Sequence, residues 1–261
     1  MCQLLGMNAN VPTDICFSFE GFRARGGRTD QHRDGWGIAF FEGRGLRTFL
    51  DPSPAVQSPV AELVRNYPIK SCNVIAHIRR ATQGAVALEN CHPFQRELWG
   101  RHWVFAHNGN LDGFQFSGVG RYQPVGTTDS EAAFCRILQS IVNAFGEHHP
   151  ELTSLQEVVA EEAAKLSTFG PFNFLLSNGR WLFAHCATSL HYIVRQAPFR
   201  SAHLLDEDVT IDFSQVTQPE DRVSIIATLP LTDDETWIPL ETGELMAFED
   251  GIPVNATRRE R

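Results

Sequence analysis

The feature that most constrains this chain is the way tight-turn dipeptides punctuate its strand-like runs. Phe172 to Ser177 and Arg180 to Cys186 flank Asn178-Gly179, a pair suited to the positive φ angles of a two-residue hairpin turn. Trp36 to Glu42 and Leu46 to Leu50 flank Gly43, Arg44 and Gly45 and read as a second hairpin. Cys72 to Arg79, His102 to His107, Leu190 to Arg195, Val209 to Phe213, Arg222 to Thr228 and Glu244 to Phe248 read as further strands. Helical spacing is rarer and grouped. Ser130 to Phe145 places Ala133, Ile137, Leu138, Ile141 and Val142 on one face. Thr128 and Glu131 form a capping-box pattern at its start. Leu155 to Leu166 and Ser58 to Tyr67 read as helices, with Asp14 to Arg25 as a third candidate of that kind. Hairpin-linked strands with grouped helices predict an α+β architecture in which antiparallel sheet packs on helices. Regular βαβ alternation is missing, which argues against a doubly wound sheet.

The chain has 261 residues, 43% hydrophobic and 20% charged, enough to build a sizeable core. No repeat, low-complexity tract or long linker divides it, so residues 1–261 are read as one domain. Pro52 to Pro59 reads as a short loop, and Thr257 to Arg261 is polar and expected to fray. A net charge of −9 disfavours nucleic acid and anionic membrane surfaces, both of which require a basic footprint. No segment approaches the roughly 20 apolar residues that span a bilayer, and Met1 to Asp14 lacks the pattern of a secretory signal. Six cysteines without a CxxC pair suit reduced thiols in a cytoplasmic protein. A GxGxxG phosphate loop is absent, Cys91 and His92 are adjacent rather than at ligand spacing, and no cofactor or metal is expected.

Cys2 and five further constellations could carry chemistry. Cys2 follows Met1 directly, so removal of Met1 would leave one residue with both a thiol and an α-amine. The amine titrates at about 7.7–8.0 and could act as base for the thiol. Position alone favours a small apolar residue opening a strand, in the run Cys2 to Gly6. In His77 to Gly84, alternation puts Ile75, His77 and Arg79 on one face. Arg79 stands at the strand end, where a guanidinium can hold a carboxylate bidentately, and Thr82 adds a hydroxyl. Asn108 and Gly109 can supply an amide and a backbone N–H to an oxyanion, although Asn-Gly is also a common turn. Asp129, in Thr128 to Glu131, could bind an ammonium or simply complement a helix dipole. His92 could orient a substrate, and Gly37, beside Trp36, could let backbone approach a ligand. Together these describe grips for a carboxylate and an ammonium, an oxyanion site and a thiol. That set fits glutamine or another γ-glutamyl compound, attacked at its side-chain carbonyl.

Cys2, His77-x-Arg79-x-Ala81-Thr82-x-Gly84, Asn90-x-His92-Pro93, His107-Asn108-Gly109 and Asp129-Ser130-Glu131 together resemble the type-2 (class II, N-terminal-nucleophile) glutamine amidotransferase domain. In length the chain is similar to small stand-alone, YafJ-like members. The resemblance implies a four-layer αββα sandwich of the Ntn-hydrolase type, with two antiparallel sheets between helix layers. It implies Cys2 as nucleophile with its own amine as base, and Asn108 and Gly109 as oxyanion hole. Arg79 and Thr82 would bind the α-carboxylate and Asp129 the α-ammonium. His92, Trp36 and Gly37 would line the pocket.

Multidomain relatives continue into a synthase domain that uses the ammonia. The sequence has no room for one before Arg261, so a separate ammonia-accepting synthase partner is expected, or the protein acts as a γ-glutamyl peptide hydrolase. A non-catalytic glutamine-binding module, with Met1 retained, is the reading from outside enzymology. A metal-dependent hydrolase using the histidines is disfavoured by their spacing.

Overall fold

The computed structural model describes residues 2–82, 84–116 and 120–254. Met1, Gln83 and the expected fraying segment Thr257 to Arg261 lie outside the described residues. The strands are β1 (Gln3–Thr13), β2 (Trp36–Glu42), β3 (Gly45–Asp51), β4 (Ser71–Ile78), β5 (Phe94–Leu98), β6 (Arg101–Gly109), β7 (Phe172–Ser177), β8 (Leu182–His185), β9 (His191–Gln196), β10 (Ser201–His203), β11 (Thr210–Asp212), β12 (Arg222–Ala227), β13 (Ile238–Pro239), β14 (Leu245–Glu249) and β15 (Ile252–Val254). The helices are α1 (Cys16–Ala24), α2 (Pro59–Asn66), α3 (Asp129–Phe145) and α4 (Leu152–Leu166).

Two antiparallel sheets carry the fold, ordered β13-β9-β12-β1-β4-β2-β3 and β15-β14-β8-β7-β6-β5, with β10 and β11 as a separate hairpin. Alternation along each strand feeds three apolar layers. Leu5, Met7, Ile38, Phe40 and Ile78 leave one face of the first sheet and meet Phe19 and Phe22 of α1 and Ala61 and Val64 of α2. Leu4, Ala39 and Ile75 leave its other face and meet Val104, Ala106 and Leu175 of the second sheet. The far side of that sheet presents Trp103, Phe105 and Phe174 to Phe134, Ile137, Leu155 and Val159 of α3 and α4. The layer order is therefore αββα. Each fully buried leucine or phenylalanine contributes about 1.5–3 kcal/mol.

Strand β1 lies mid-sheet, between β12 and β4. Its register is fixed by a polar pair inside the apolar stack. Asn8 stands opposite Asn73, both are buried, and the Asn8 amide donates to Asn73 Oδ1 at 3.0 Å. The Gly251 N–H then donates to Asn8 Oδ1 at 2.8 Å. These bonds let β1 continue through polar residues to Thr13, well past the apolar run in the sequence.

Local chemistry explains the other boundary shifts. β8 starts at Leu182 rather than Arg180 because Asn178 Oδ1 accepts both the Arg180 and Trp181 N–H groups, each at 3.1 Å, lengthening the turn. β5 is an edge strand with Gln95 and Glu97 exposed, so it carries little hydrophobic signal. The cap of α3 is half a capping box. Thr128 Oγ1 accepts from the Glu131 N–H at 3.2 Å. The Glu131 carboxylate instead accepts from the Gly126 N–H at 2.7 Å and pairs with Arg96 at 2.5 Å. Among the described residues no helix is long and apolar enough to cross a membrane.

Candidate active site

The sequence-predicted residues converge where several elements begin or end. Cys2 directly precedes β1, Arg79 directly follows β4, and Asn108 and Gly109 end β6. Asp129 is the first residue of α3, and Gly37 lies at the start of β2, opposite His77. The Asn108 amide donates to the Cys2 carbonyl at 2.6 Å, joining the two sheets at the thiol. Cys2 itself is only 9% exposed. The Arg80 backbone N–H donates to Cys2 Sγ at 3.3 Å. Burial pushes the Cys2 thiol pKa up, while that N–H and the nearby Arg79 charge pull it down and Asp129 opposes them. Arg79 and Asp129 thus act on the thiol with opposite sign.

Arg79 is buried and currently clamps its own loop, donating to the Ala85 carbonyl at 2.9 Å and the Gly84 carbonyl at 3.2 Å. Thr82 is exposed on the same loop. Two ties hold that loop in place. The Ala81 N–H donates to Asp34 Oδ2 at 2.8 Å. Asn90 donates to the Ala85 carbonyl at 3.1 Å and accepts from the Thr127 N–H at 2.9 Å, linking the Arg79 loop to the approach of α3. Asp129 is half-buried. Its Oδ2 accepts from the Leu111 N–H at 2.7 Å and its Oδ1 from the Ser130 N–H at 2.8 Å. Oδ2 keeps a further lone pair, so the group can also accept from an ammonium.

Three histidines, His77, His92 and His107, are buried close to these elements. His107 Nε2 lies 3.3 Å from the Pro171 carbonyl and Nδ1 2.8 Å from Ser130 Oγ. With Nε2 donating to the carbonyl, Nδ1 accepts from the hydroxyl. His77 and His92 are buried with ring centroids 4.1 Å apart. Burial, assisted by neighbouring His107 and the Arg79 charge, holds His77 down at about 3. Burial likewise keeps His92 well below its usual range, and its ring nitrogens have no hydrogen-bond partner among the described residues. Both rings are therefore neutral at physiological pH.

Gly37 and Gly109 are placed as close-approach glycines. A Cβ on Gly37 would run into the His92 carbonyl and Leu50, and one on Gly109 into the Pro171 carbonyl. Trp36 is a correction. Strand alternation sends it to the opposite face of the first sheet from Gly37, where it packs in the outer core at 5.8 Å from the Phe19 ring. Two adjacent strand residues cannot line the same pocket. Sequence reasoning missed Asn173. This buried residue donates to the Asn108 carbonyl at 3.0 Å and accepts from the Ala187 and Thr188 N–H groups, both at 2.9 Å. Its signal was an amide inside the apolar run Phe172 to Ser177.

Among the described residues no cluster of three His, Cys, Asp or Glu side chains could hold a metal ion. The family model for class-II glutamine amidotransferases matches residues 1–261. The chain is 55% identical over 248 residues to the candidate glutamine amidotransferase YafJ of Escherichia coli (strain K12), covering 95% of this chain and 97% of that one. A crystal structure of a predicted glutamine amidotransferase from Pseudomonas aeruginosa PA01 superposes with TM-score 0.78 at 48% identity, covering 97% of this chain and 100% of the other. The glutamine phosphoribosylpyrophosphate amidotransferase of Bacillus subtilis shares the fold at TM-score 0.61 and 16% identity, over 98% of this chain and 49% of that one. The αββα sandwich is thus of the N-terminal-nucleophile type, and the chain belongs to the class-II glutamine amidotransferases.

Proposed function

We propose that this protein cleaves a γ-glutamyl amide, glutamine or a larger γ-glutamyl compound, with Cys2 as nucleophile. The observation that carries the reading is the bond from the Asn108 amide to the Cys2 carbonyl, beside a thiol already met by the Arg80 N–H. It supports the reading because an amide nitrogen carries two N–H groups, and the second is the donor proposed for the carbonyl that the thiol attacks.

In the proposed reaction the Cys2 α-amine, free once Met1 is removed, takes the thiol proton as Sγ adds to the γ-carbonyl. The oxyanion is received by Asn108 Nδ2 and the Gly109 N–H. Collapse expels ammonia or a larger amine, which leaves with the proton held by the amine. Water then adds to the thioester, releasing the glutamyl carboxylate and restoring the thiol. Arg79 and Thr82 hold the α-carboxylate, Arg79 exchanging its loop carbonyls for the ligand, and Asp129 holds the α-ammonium. His92 and Gly37 close the back of the pocket. The ammonia goes to water or to a separate synthase partner.

A glutamine-like electrophile should label Cys2 and no other cysteine, and Cys2→Ala should abolish turnover. Intact mass should show Met1 removed. Labelling elsewhere, or turnover by Cys2→Ala, would overturn the proposal. Met1 retained together with glutamine binding and no turnover would favour the non-catalytic module. Comparing kcat/KM for glutamine, glutathione and other γ-glutamyl amides identifies the leaving group.

A further inference from the structure

A cleft of about 320 Å³ opens at the opposite end of the sandwich from Cys2, lined by Arg44, Trp99, Arg101, His102, His149 and Asn178 among others. It lies where the β2–β3, β5–β6 and β7–β8 turns meet the loop after α3. Strand β2 connects the two ends. At about 3.3 Å per residue, its seven residues from Trp36 to Glu42 separate the cleft from the thiol by about 20 Å. Nothing in the proposed reaction uses these residues.

The lining is built to receive an anion. Arg101 has no ion pair or hydrogen bond among the described residues, and Arg44 makes only a 3.4 Å contact to the Gly100 carbonyl. Three acidic groups in the adjoining strands and turns are already engaged. Glu97 accepts from the Gly100 N–H at 2.6 Å and from Arg121 at 2.9 Å. Glu42 pairs with Arg47 at 2.6 Å, and Glu249 pairs with Arg180 at 2.8 Å. Two cationic side chains thus stay uncompensated on a chain of net charge −9. Asn178 adds a donor. It is only 8% exposed, its Oδ1 is spent on two turn N–H groups, and its Nδ2 has no hydrogen-bond partner among the described residues. Asn178 lines the cleft, so this amide is open to a ligand acceptor.

The same lining offers a flat aromatic surface. The Trp99 indole N–H donates to the Gly146 carbonyl at 2.9 Å, which fixes the ring plane. Its ring meets His149 at 5.3 Å between centroids. Trp99 adopts φ +57°, a conformation that disfavours a large side chain and places the indole at the turn tip beside the cleft. Guanidinium pairs bind phosphate in forked geometry, and indole stacks on planar rings. The volume falls within the range of roughly 300–1,000 Å³ for small-molecule sites.

From this combination we infer that the cleft binds a phosphomonoester carrying a planar ring, a mononucleotide by chemical class. Arg44, Arg101 and Asn178 would take the phosphate and Trp99 would stack on the base. Isothermal titration of the full-length protein with AMP and UMP should give saturable binding below about 1 mM. Adenosine and inorganic phosphate should each bind at least about tenfold more weakly. Arg101→Ala and Arg44→Ala should each weaken AMP at least about tenfold without lowering Tm, while Cys2→Ala should leave AMP binding unchanged. Absence of saturable binding by both nucleotides would overturn the inference. So would binding indifferent to Arg101→Ala, or phosphate binding as tightly as AMP. None of these measurements depends on amide cleavage, so failure here leaves the proposed reaction untouched.

Discussion

Replacing Asn108 with alanine should separate catalysis from stability at one residue. In the fold the Asn108 amide does one visible job, donating to the Cys2 carbonyl at 2.6 Å. Removing it leaves that carbonyl unpaired at a site sealed between the sheets, at a cost of about 1–3 kcal/mol. Asn108 Oδ1 is itself buried without a partner among the described residues, and its removal returns part of that cost. A net loss near the lower end, about 1 kcal/mol, lowers Tm by about 2–4 °C in a chain of this size. Turnover should suffer more. An oxyanion donor acts only as charge develops, and its loss costs about 10²–10³ in kcat, or ~2.7–4 kcal/mol. Asn108→Asp should be worse on both counts, because it turns a carboxylate oxygen toward the Cys2 carbonyl. The assay is glutamate release at saturating glutamine, paired with thermal unfolding of the same samples. A kcat for Asn108→Ala within about tenfold of the parent would remove Asn108 from the oxyanion hole. A Tm drop beyond about 12 °C would show that the lost activity reflects a damaged fold.

Other perturbations probe different parts of the site. His77 is held at about 3 against an ordinary 6.5, so between those values the unfolded chain binds a proton that the fold refuses. Its contribution to stability is complete above about pH 6.5 and shrinks as pH falls toward 3; unfolding midpoints should drop steeply on acidification, and His77→Phe should flatten the decline. A profile unchanged by that variant would refute the assignment. Asn90→Ala cuts the tie between the Arg79 loop and Thr127, so KM for glutamine should rise about tenfold with a smaller change in kcat, as expected for losing roughly 1–1.5 kcal/mol of loop positioning. Trp36→Phe removes a buried indole N–H that lacks a partner among the described residues, and steady-state constants should stay within about twofold, with stability changed by less than about 1.5 kcal/mol. A tenfold KM rise, roughly 1.4 kcal/mol, would return Trp36 to the pocket.

How much could be read from sequence depended on whether a residue's task was local or distant. The Asn178-Gly179 hairpin and α3 were legible because turn chemistry and helical spacing are written within a few neighbours. The family was legible through the joint order of Cys2, Arg79, Asn108 and Asp129, although each alone had an ordinary explanation. Asp129 illustrates the limit. It does serve its helix start, bonding the Ser130 N–H, and it also reaches the exit of β6 through the Leu111 N–H, a partner that neither reading anticipated. Strand β5 was hidden because an edge strand can be polar. Trp36 was carried to the pocket by the family resemblance alone, while its side chain packs in the outer core, and Asn173 was missed because its partners are 65 and 15 residues away.

The Asn8–Asn73 bond inside the first sheet has a consequence for the far end of β1. A strand can slide by one residue only if every side chain changes face. Such a slide would part the two amides, strand the Gly251 N–H and deliver Gln3 instead of Cys2 to Asn108. The address of the thiol is therefore written six residues away, in a lock with no chemistry of its own. On the proposed reaction, damage at Asn73 should look like a catalytic defect in a protein that still folds, because the sheet would persist while the proposed nucleophile sat one step out of line.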